Sequence, residues 1–249
     1  MAEPSFFTTG AGRQIAYHRF SGRRPGVVFL GGLRSDMTGT KAVHLEAWCR
    51  RTGREFLRFD YSGHGQSSGN FTDGCIGDWA EDAAEIIGAQ TEGPQVLVGS
   101  SMGGWISLLM AKRMPERLCG LVTIAAAPDF TEDGMWAEFT ADEKRQVMEE
   151  GQIALPSEYG EPMVITRRLI EDGRNQFVLR EPLRLDVPVR MLQGTADADV
   201  PMDVALRLLA HLDGDDIRLE LVKGADHRFS DDACLATITR AVGEVLDDA

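Results

Sequence analysis

The sequence predicts an α/β fold: a doubly wound, mostly parallel sheet of eight strands with a small inserted cap. Three observations predict it. Short apolar runs alternate with helix-period segments of about 10–15 residues, the pattern that joins parallel strands through crossover helices. Runs such as Gly26-Val27-Val28-Phe29-Leu30 are continuously apolar, as strands covered on both faces are. Gly-rich and charged clusters fall directly after these runs, at the carboxyl ends of strands, where such sheets place their sites. With 249 residues, 43% of them hydrophobic and 26% charged, the chain suits a single domain, 1–249, with a sizeable core.

The chain opens on a hairpin, Phe6–Thr9 and Gln14–His18, about a Gly10-Ala11-Gly12 turn. Gly26–Leu30 is the first buried strand and ends in Gly31-Gly32-Leu33-Arg34. A helix follows over Thr40–Arg51, with Ala42, Val43, Leu45, Ala47 and Trp48 as its apolar positions. Glu55–Phe59 is a strand that runs into the Gly- and Ser-dense loop Asp60–Ser67, and Ile76–Ile87 is a helix. Gln95–Val98 is a strand, an apolar helix starts at Gly104, and Leu118–Ala126 is a strand with a small-residue end. From 129 to 185 the alternation lapses, and one charged helix, Ala141–Glu150, sits among Pro156, Gly160, Pro162 and Gly173. So long a departure reads as an inserted cap rather than a structureless loop. Alternation then resumes with strand Val187–Leu192, helix Met202–Leu212, strand Ile217–Val222 and a closing helix Asp231–Leu246.

Bulk properties narrow the partners. A formal charge of −13 argues against nucleic acid or an anionic membrane surface. No run of about 18 apolar residues is present to span a bilayer. The opening Met1-Ala-Glu-Pro-Ser has no basic region before an apolar stretch, so no secretory signal is expected. Cys49, Cys75, Cys119 and Cys234 are scattered without C-x-x-C or Cys/His ligand spacing. They read as buried reduced thiols, which makes the cytoplasm the expected compartment. Nothing in the composition speaks to oligomeric state.

The chemistry centres on Gly99-Ser100-Ser101-Met102-Gly103, between a strand and an immediate apolar helical run. That is the G-x-S-x-G nucleophile elbow, in which the central serine takes a strained conformation and side chains at the flanking positions would collide with strand and helix. Ser101 is the central residue; Ser100 lies off the apex and reads as structural. An activated serine needs a base, and the base needs an orienting acid. Downstream of Ser101 stand two histidines. His211 belongs to the last turn of a helix, where a cation is favoured. His227, in Gly224-Ala225-Asp226-His227-Arg228-Phe229, directly follows the last strand and is the catalytic candidate. The acid comes from Gln193-Gly194-Thr195-Ala196-Asp197-Ala198-Asp199-Val200-Pro201. Asp197 fits G-x-x-D-x-x-V-P, Asp199 reads as a turn or helix-cap residue, and Asp226 adjoins the histidine it would have to face. The oxyanion donors are assigned to the backbone N–H groups of Met102, after the nucleophile, and Leu33, in the loop that Gly31-Gly32 opens.

These motifs, with Asp60-x-x-Gly63-His64-Gly65-x-Ser67, together resemble the α/β-hydrolase fold over nearly the whole chain. Leu30–Ala42, Gly99–Trp105 and Asp226-His227-Arg228 are similar to the branch of palmitoyl-protein thioesterases and acyl-glucuronide esterases. The resemblance implies ester or thioester cleavage by Ser101, His227 and Asp197, with no metal and no organic cofactor. The chain carries Gly31-Gly32 where many relatives have His-Gly, which leaves the backbone donors intact. It shows no Arg-rich, acid-poor leader, so the branch's mitochondrial location is not expected to carry over.

The inserted segment is expected to shape an apolar acyl pocket. Met135, Trp136 and Phe139, with Val147 and Met148, offer adaptable apolar surface there. Arg34 follows the donor loop and is a candidate to engage a substrate carboxylate. The partner is thus a small-molecule or acylated substrate. Two rival classes share these residues: a carbon–carbon bond hydrolase, which a polar pocket would favour, and a non-catalytic ligand-binding relative.

Overall fold

A computed structural model describes residues 3–156 and 162–248. Twelve strands and seven helices run through them in chain order. The first four strands are β1 (Ser5–Thr8), β2 (Gln14–Phe20), β3 (Arg23–Leu30) and, after helix α1 (Thr40–Thr52), β4 (Arg54–Phe59). Helix α2 (Ile76–Gln90), β5 (Gln95–Ser100), α3 (Met102–Arg113) and β6 (Leu118–Ile124) follow. Next come α4 (Ala141–Glu150), β7 (Gln152–Leu155), β8 (Met163–Thr166), α5 (Arg167–Gly173) and the two-residue β9 (Leu183–Arg184). The chain closes with β10 (Val189–Gly194), α6 (Met202–His211), the two-residue β11 (Leu212–Asp213), β12 (Ile217–Val222) and α7 (Asp232–Asp248).

Eight of these strands form the main sheet, in the order β1-β2-β4-β3-β5-β6-β10-β12. The β1–β2 and β2–β4 pairs are antiparallel, and every pair from β4 to β12 is parallel. The predicted doubly wound fold is the one observed. Strand β3 lies between β4 and β5, so the chain winds outward in both directions from it. The crevice at the carboxyl ends of β3 and β5 is the point where such a sheet holds its ligand.

Burial follows the two-residue period of the strands. Val28 and Leu30 of β3 join Leu97 of β5 and Leu121 of β6 in one apolar layer, with Trp79, Ile86 and Trp105 from α2 and α3. Val27, Phe29, Val96, Val98 and Val122 face the other way, onto Leu45 and Cys49 of α1 and Ile238 and Val242 of α7. Both faces of the sheet are therefore covered, which is why these runs are apolar throughout.

Strand β10 sits two residues later than the alternation predicts. Pro188 has no N–H to give a ladder and offers only its carbonyl, to Leu121 N–H at 3.0 Å. The 129–185 stretch holds more regular structure than the one helix predicted there. Wide helical turns cover Thr131–Trp136, and α4 starts on a capping box between Thr140 and Glu143. β7 and β8 form an antiparallel hairpin around 157–161, which lie outside the described residues. Ile153, Ile165, Leu169 and Ile170 of this stretch join the apolar layer of α2 and α3.

Candidate active site

Strand β5 runs up to Ser100, and Ser101 then takes φ 55°, ψ −118° before α3 begins at Met102. The conformation is unfavourable for any residue with a Cβ, and the surroundings enforce it. Ser101 N–H donates to Ile124 carbonyl at 2.9 Å, and Ser101 carbonyl accepts from Gly104 N–H at 2.9 Å and Ala127 N–H at 3.2 Å. A Cβ on Gly99 would overlap the main-chain carbonyl of Gly103, and one on Gly103 would overlap that of Leu30. The two glycines are steric requirements of a turn this tight. Non-Gly residues with positive φ among the described residues are Arg34, Ser101, Ala125, Asp129 and Phe229. All five lie in the segments that leave the carboxyl ends of sheet strands, so backbone strain is concentrated at one rim of the molecule.

Across that rim, His227 Nδ1 and Asp197 Oδ2 are 2.9 Å apart. An ionised carboxylate only accepts, so Nδ1 carries the proton and Nε2 is left for another partner. The Asp197 side chain has no exposed surface, whereas that of His227 is 21% exposed. Asp197 Oδ1 also accepts from the N–H groups of Asp199, at 3.0 Å, and Val200, at 2.8 Å. Gln193 Nε2 donates to Oδ2 at 3.1 Å. Burial pushes the carboxyl up, but the His227 bond and these donors outweigh it and hold Asp197 below its ordinary value.

The rival residues are occupied otherwise. Asp226 Oδ1 accepts from Phe229 N–H at 3.1 Å and shapes the histidine loop. His211 Nε2 contacts the Glu181 carbonyl at 2.7 Å. Asp199 stands in the bend before α6, and Pro201, not Asp199, fills the cap position of that helix.

Ser101 and His227 line one cavity of about 980 Å³. Leu33 and Arg34 lie on its wall, and no hydrogen bond from Leu33 or Met102 N–H is found among the described residues. A Cβ on Gly32 would stand 3.4 Å from both Ser100 O and Ser101 Cβ, so the donor loop runs hard against the elbow. The 129–185 side supplies Phe130, Asp133, Met135, Glu138 and Met163. Trp136 and Phe139, expected in the pocket, do not line it. Phe139 is buried in the core, and Trp136 carries Arg174 and Lys144 over its ring at 4.9 and 5.6 Å. Val147 is likewise core. Nor is the wall purely apolar: Asp133, Glu138, Asp203 and Arg207 line it, with Asp133 Oδ2 bonded to Arg207 Nη1 at 2.7 Å.

The family model described as serine aminopeptidase, S33, matches residues 24–175. The mitochondrial palmitoyl-protein thioesterase ABHD10 of Mus musculus is 34% identical over 251 residues, covering 99% of this chain and 83% of that protein. The chain belongs to the α/β-hydrolase family. Among solved structures, a hydrolase from Agrobacterium vitis S4 is similar with a TM-score of 0.94 and 40% identity over 98% of both chains. The mouse α/β hydrolase domain-containing protein 10 gives 0.91 and 33% over 99% of both. These agree with the branch that the sequence motifs resemble.

Two residues of this hydrolase site escaped the sequence reading. Gln193 is fully buried at the end of β10, and its amide bridges Asp197 to Val200 carbonyl at 3.0 Å. A glutamine directly after the apolar pair Met191-Leu192, just before the acid loop, was the available signal. Lys41, in the first turn of α1, also lines the cavity. Its signal was a cation at the positive end of a helix. No helix among the described residues is long and apolar enough to cross a membrane, and no cluster of His, Cys, Asp or Glu there could hold a metal ion.

Proposed function

We propose that this hydrolase cleaves carboxylic esters and acyl-thioesters through an acyl-enzyme on Ser101, with His227 as base and Asp197 as its orienting acid. The observation that carries the reading is the 2.9 Å His227–Asp197 contact on the cavity that Ser101 also lines. With Nδ1 engaged, His227 Nε2 takes the Ser101 proton while Oγ attacks the acyl carbon. The alcohol or thiol leaves with that proton. Water then gives a proton to His227 as it attacks the acyl carbon, and His227 passes that proton to Ser101 Oγ as the acyl–Oγ bond breaks and the carboxylic acid leaves. The N–H groups of Leu33 and Met102 are assigned to the oxyanion, each worth about 3 kcal/mol in the transition state.

The acyl group is assigned to the apolar part of the wall, where Leu33, Phe130, Met135 and Met163 gather. The cavity lies at the upper end of the range of roughly 300–1,000 Å³ for small-molecule sites. The similar mouse protein is named a palmitoyl-protein thioesterase, which favours acyl-thioesters among the candidates. Arg34, on the same wall, is assigned to a carboxylate of the leaving group. The 129–185 segment acts as a cap over this site. The four free cysteines, three of them buried, favour a reducing compartment, and we assign the cytoplasm, although the mouse relative is named mitochondrial.

Replacement of Ser101 by Ala tests the core of the reading. It is expected to cost about 10⁶-fold in kcat and to abolish labelling by a fluorophosphonate. A Ser101→Ala protein that kept esterase activity would sink the assignment, and an unlabelled native protein would favour a ligand-binding role. The charged wall residues Asp133, Glu138, Asp203 and Arg207 favour one second reading, a carbon–carbon bond hydrolase with the same triad. A panel of p-nitrophenyl esters, acyl-thioesters and vinylogous diketones separates the two by kcat/KM.

A further inference from the structure

Lys41 stands where a cation is poorly placed. It belongs to the first turn of α1, whose free N–H groups present partial positive charge. That turn holds no acidic residue, and Gly39 gives no side-chain cap to offset it. The side chain is half-buried, and among the described residues no carboxylate stands within ion-pair distance of it. An unpaired charge is costly to bury. Burial accordingly pulls Lys41 down to about 8, although Asp226, Cys234 and Asp197 favour its charged form.

What holds it is one contact. Lys41 Nζ donates to the main-chain carbonyl of Arg228 at 2.5 Å. Arg228 directly follows His227, and α1 directly follows the loop that carries Leu33. The bond therefore joins the loops after β3 and β12, strands four places apart in the sheet with β5 and its nucleophile between them.

We propose that Lys41 is a positioning residue of the active site, its ammonium tying the start of α1 and the Leu33 loop to the carbonyl behind His227. The inference rests on the reading of Ser101, His227 and Asp197 as the catalytic triad. It explains why the chain keeps a half-buried cation at a helix start that offers it no acidic partner: its bond to the Arg228 carbonyl fixes the loop that must hold His227 still. A tie of this kind depends on charge. Above about pH 8 the amine becomes neutral and a weaker donor, so turnover falls. The groups facing it are Asp226 and Arg228 of the histidine loop, Asp197 of the acid loop and Cys234 of α7. Burial holds the Cys234 thiol up to about 11 and Asp197 is held low, so neither changes charge near pH 8. Stability moves the opposite way. A lysine whose pKa is lowered by folding costs stability while it is charged, so that cost is relieved as pH rises through about 8.

The test compares Lys41→Met and Lys41→Arg with the native enzyme over pH 6 to 10, by ester kinetics and by hydrogen exchange of residues 224–230. Lys41→Met is expected to lose about tenfold or more in kcat at pH 7 with KM little changed, and to lose the native fall in kcat above pH 8. Its 224–230 amides are expected to exchange about tenfold faster, while Lys41→Arg restores both kcat and protection. Native kcat, native pH limb and native loop exchange in Lys41→Met would overturn the tie. Failure of the native enzyme to label at Ser101 would instead overturn the triad, and the exchange measurement still decides whether Lys41 holds the loop.

Discussion

The two walls of the cavity are built by different means. On the sheet side, the positions of Ser101, Leu33 and Met102 follow from the main chain: a positive φ at the serine, and glycines where a Cβ would strike a carbonyl. On the 129–185 side, side chains drawn from distant points of the chain make the wall, among them Phe130, Met135 and Met163. Backbone constraints of the first kind leave few sequences that satisfy them. Packing of the second kind tolerates many, because apolar side chains of similar volume exchange at small cost. On the proposed reading, the rigid wall carries the chemistry and the adaptable one the choice of substrate.

Substitutions on each wall sharpen that contrast. The largest expected effect is Asp197→Asn, which keeps the shape but leaves His227 with the wrong tautomer. A loss of about 10⁴-fold in kcat, the same for every acyl chain length, is expected in steady-state assays. A smaller effect is expected one layer back. Gln193→Leu removes one donor from the Asp197 carboxylate, so its pKa rises and activity on the acid side is lost at higher pH. The stability linked to a depressed carboxylate is present above its unfolded value and disappears as pH falls through its folded value. The variant should therefore be less stable by about 1–3 kcal/mol at neutral pH, with the deficit shrinking in acid denaturation curves. On the far wall, Met135→Ala should leave short esters almost untouched. Its cost in kcat/KM should grow with acyl length towards about 0.8 kcal/mol for each methylene left uncovered. A loss independent of chain length would break the division between the two walls.

The same contrast explains what was legible in the sequence. Ser101, Asp197 and His227 each sit in a short motif behind an apolar strand, so local pattern and strand order suffice to single them out. The sheet itself was legible because strands covered on both faces are written as apolar runs. Trp136 and Phe139 were not separable from pocket residues. Helical spacing says which face is buried, but not whether it is buried in a core or along a cavity. Met163 lies in a hairpin strand that the segment's prolines and glycines hid. Gln193 and Lys41 act through another residue, and such roles exist only once distant loops are brought together.

Asp129 gives the 129–185 segment its freedom to differ. Its buried carboxylate, just past β6, accepts the N–H groups of Val178 at 2.9 Å and Leu179 at 3.0 Å. One side chain thereby fastens the outgoing chain to the returning chain, 49 residues apart from Asp129 to Val178. The entropy of closing such an excursion grows only with the logarithm of its length, about 0.6 kcal/mol for each doubling. Residues can be added within that knot, away from the positions that pack on α2 and α3, with little cost to the sheet. If that segment shapes the acyl site as proposed, a new substrate can be acquired by rewriting the excursion while the rim that carries Ser101 and His227 stays as it is.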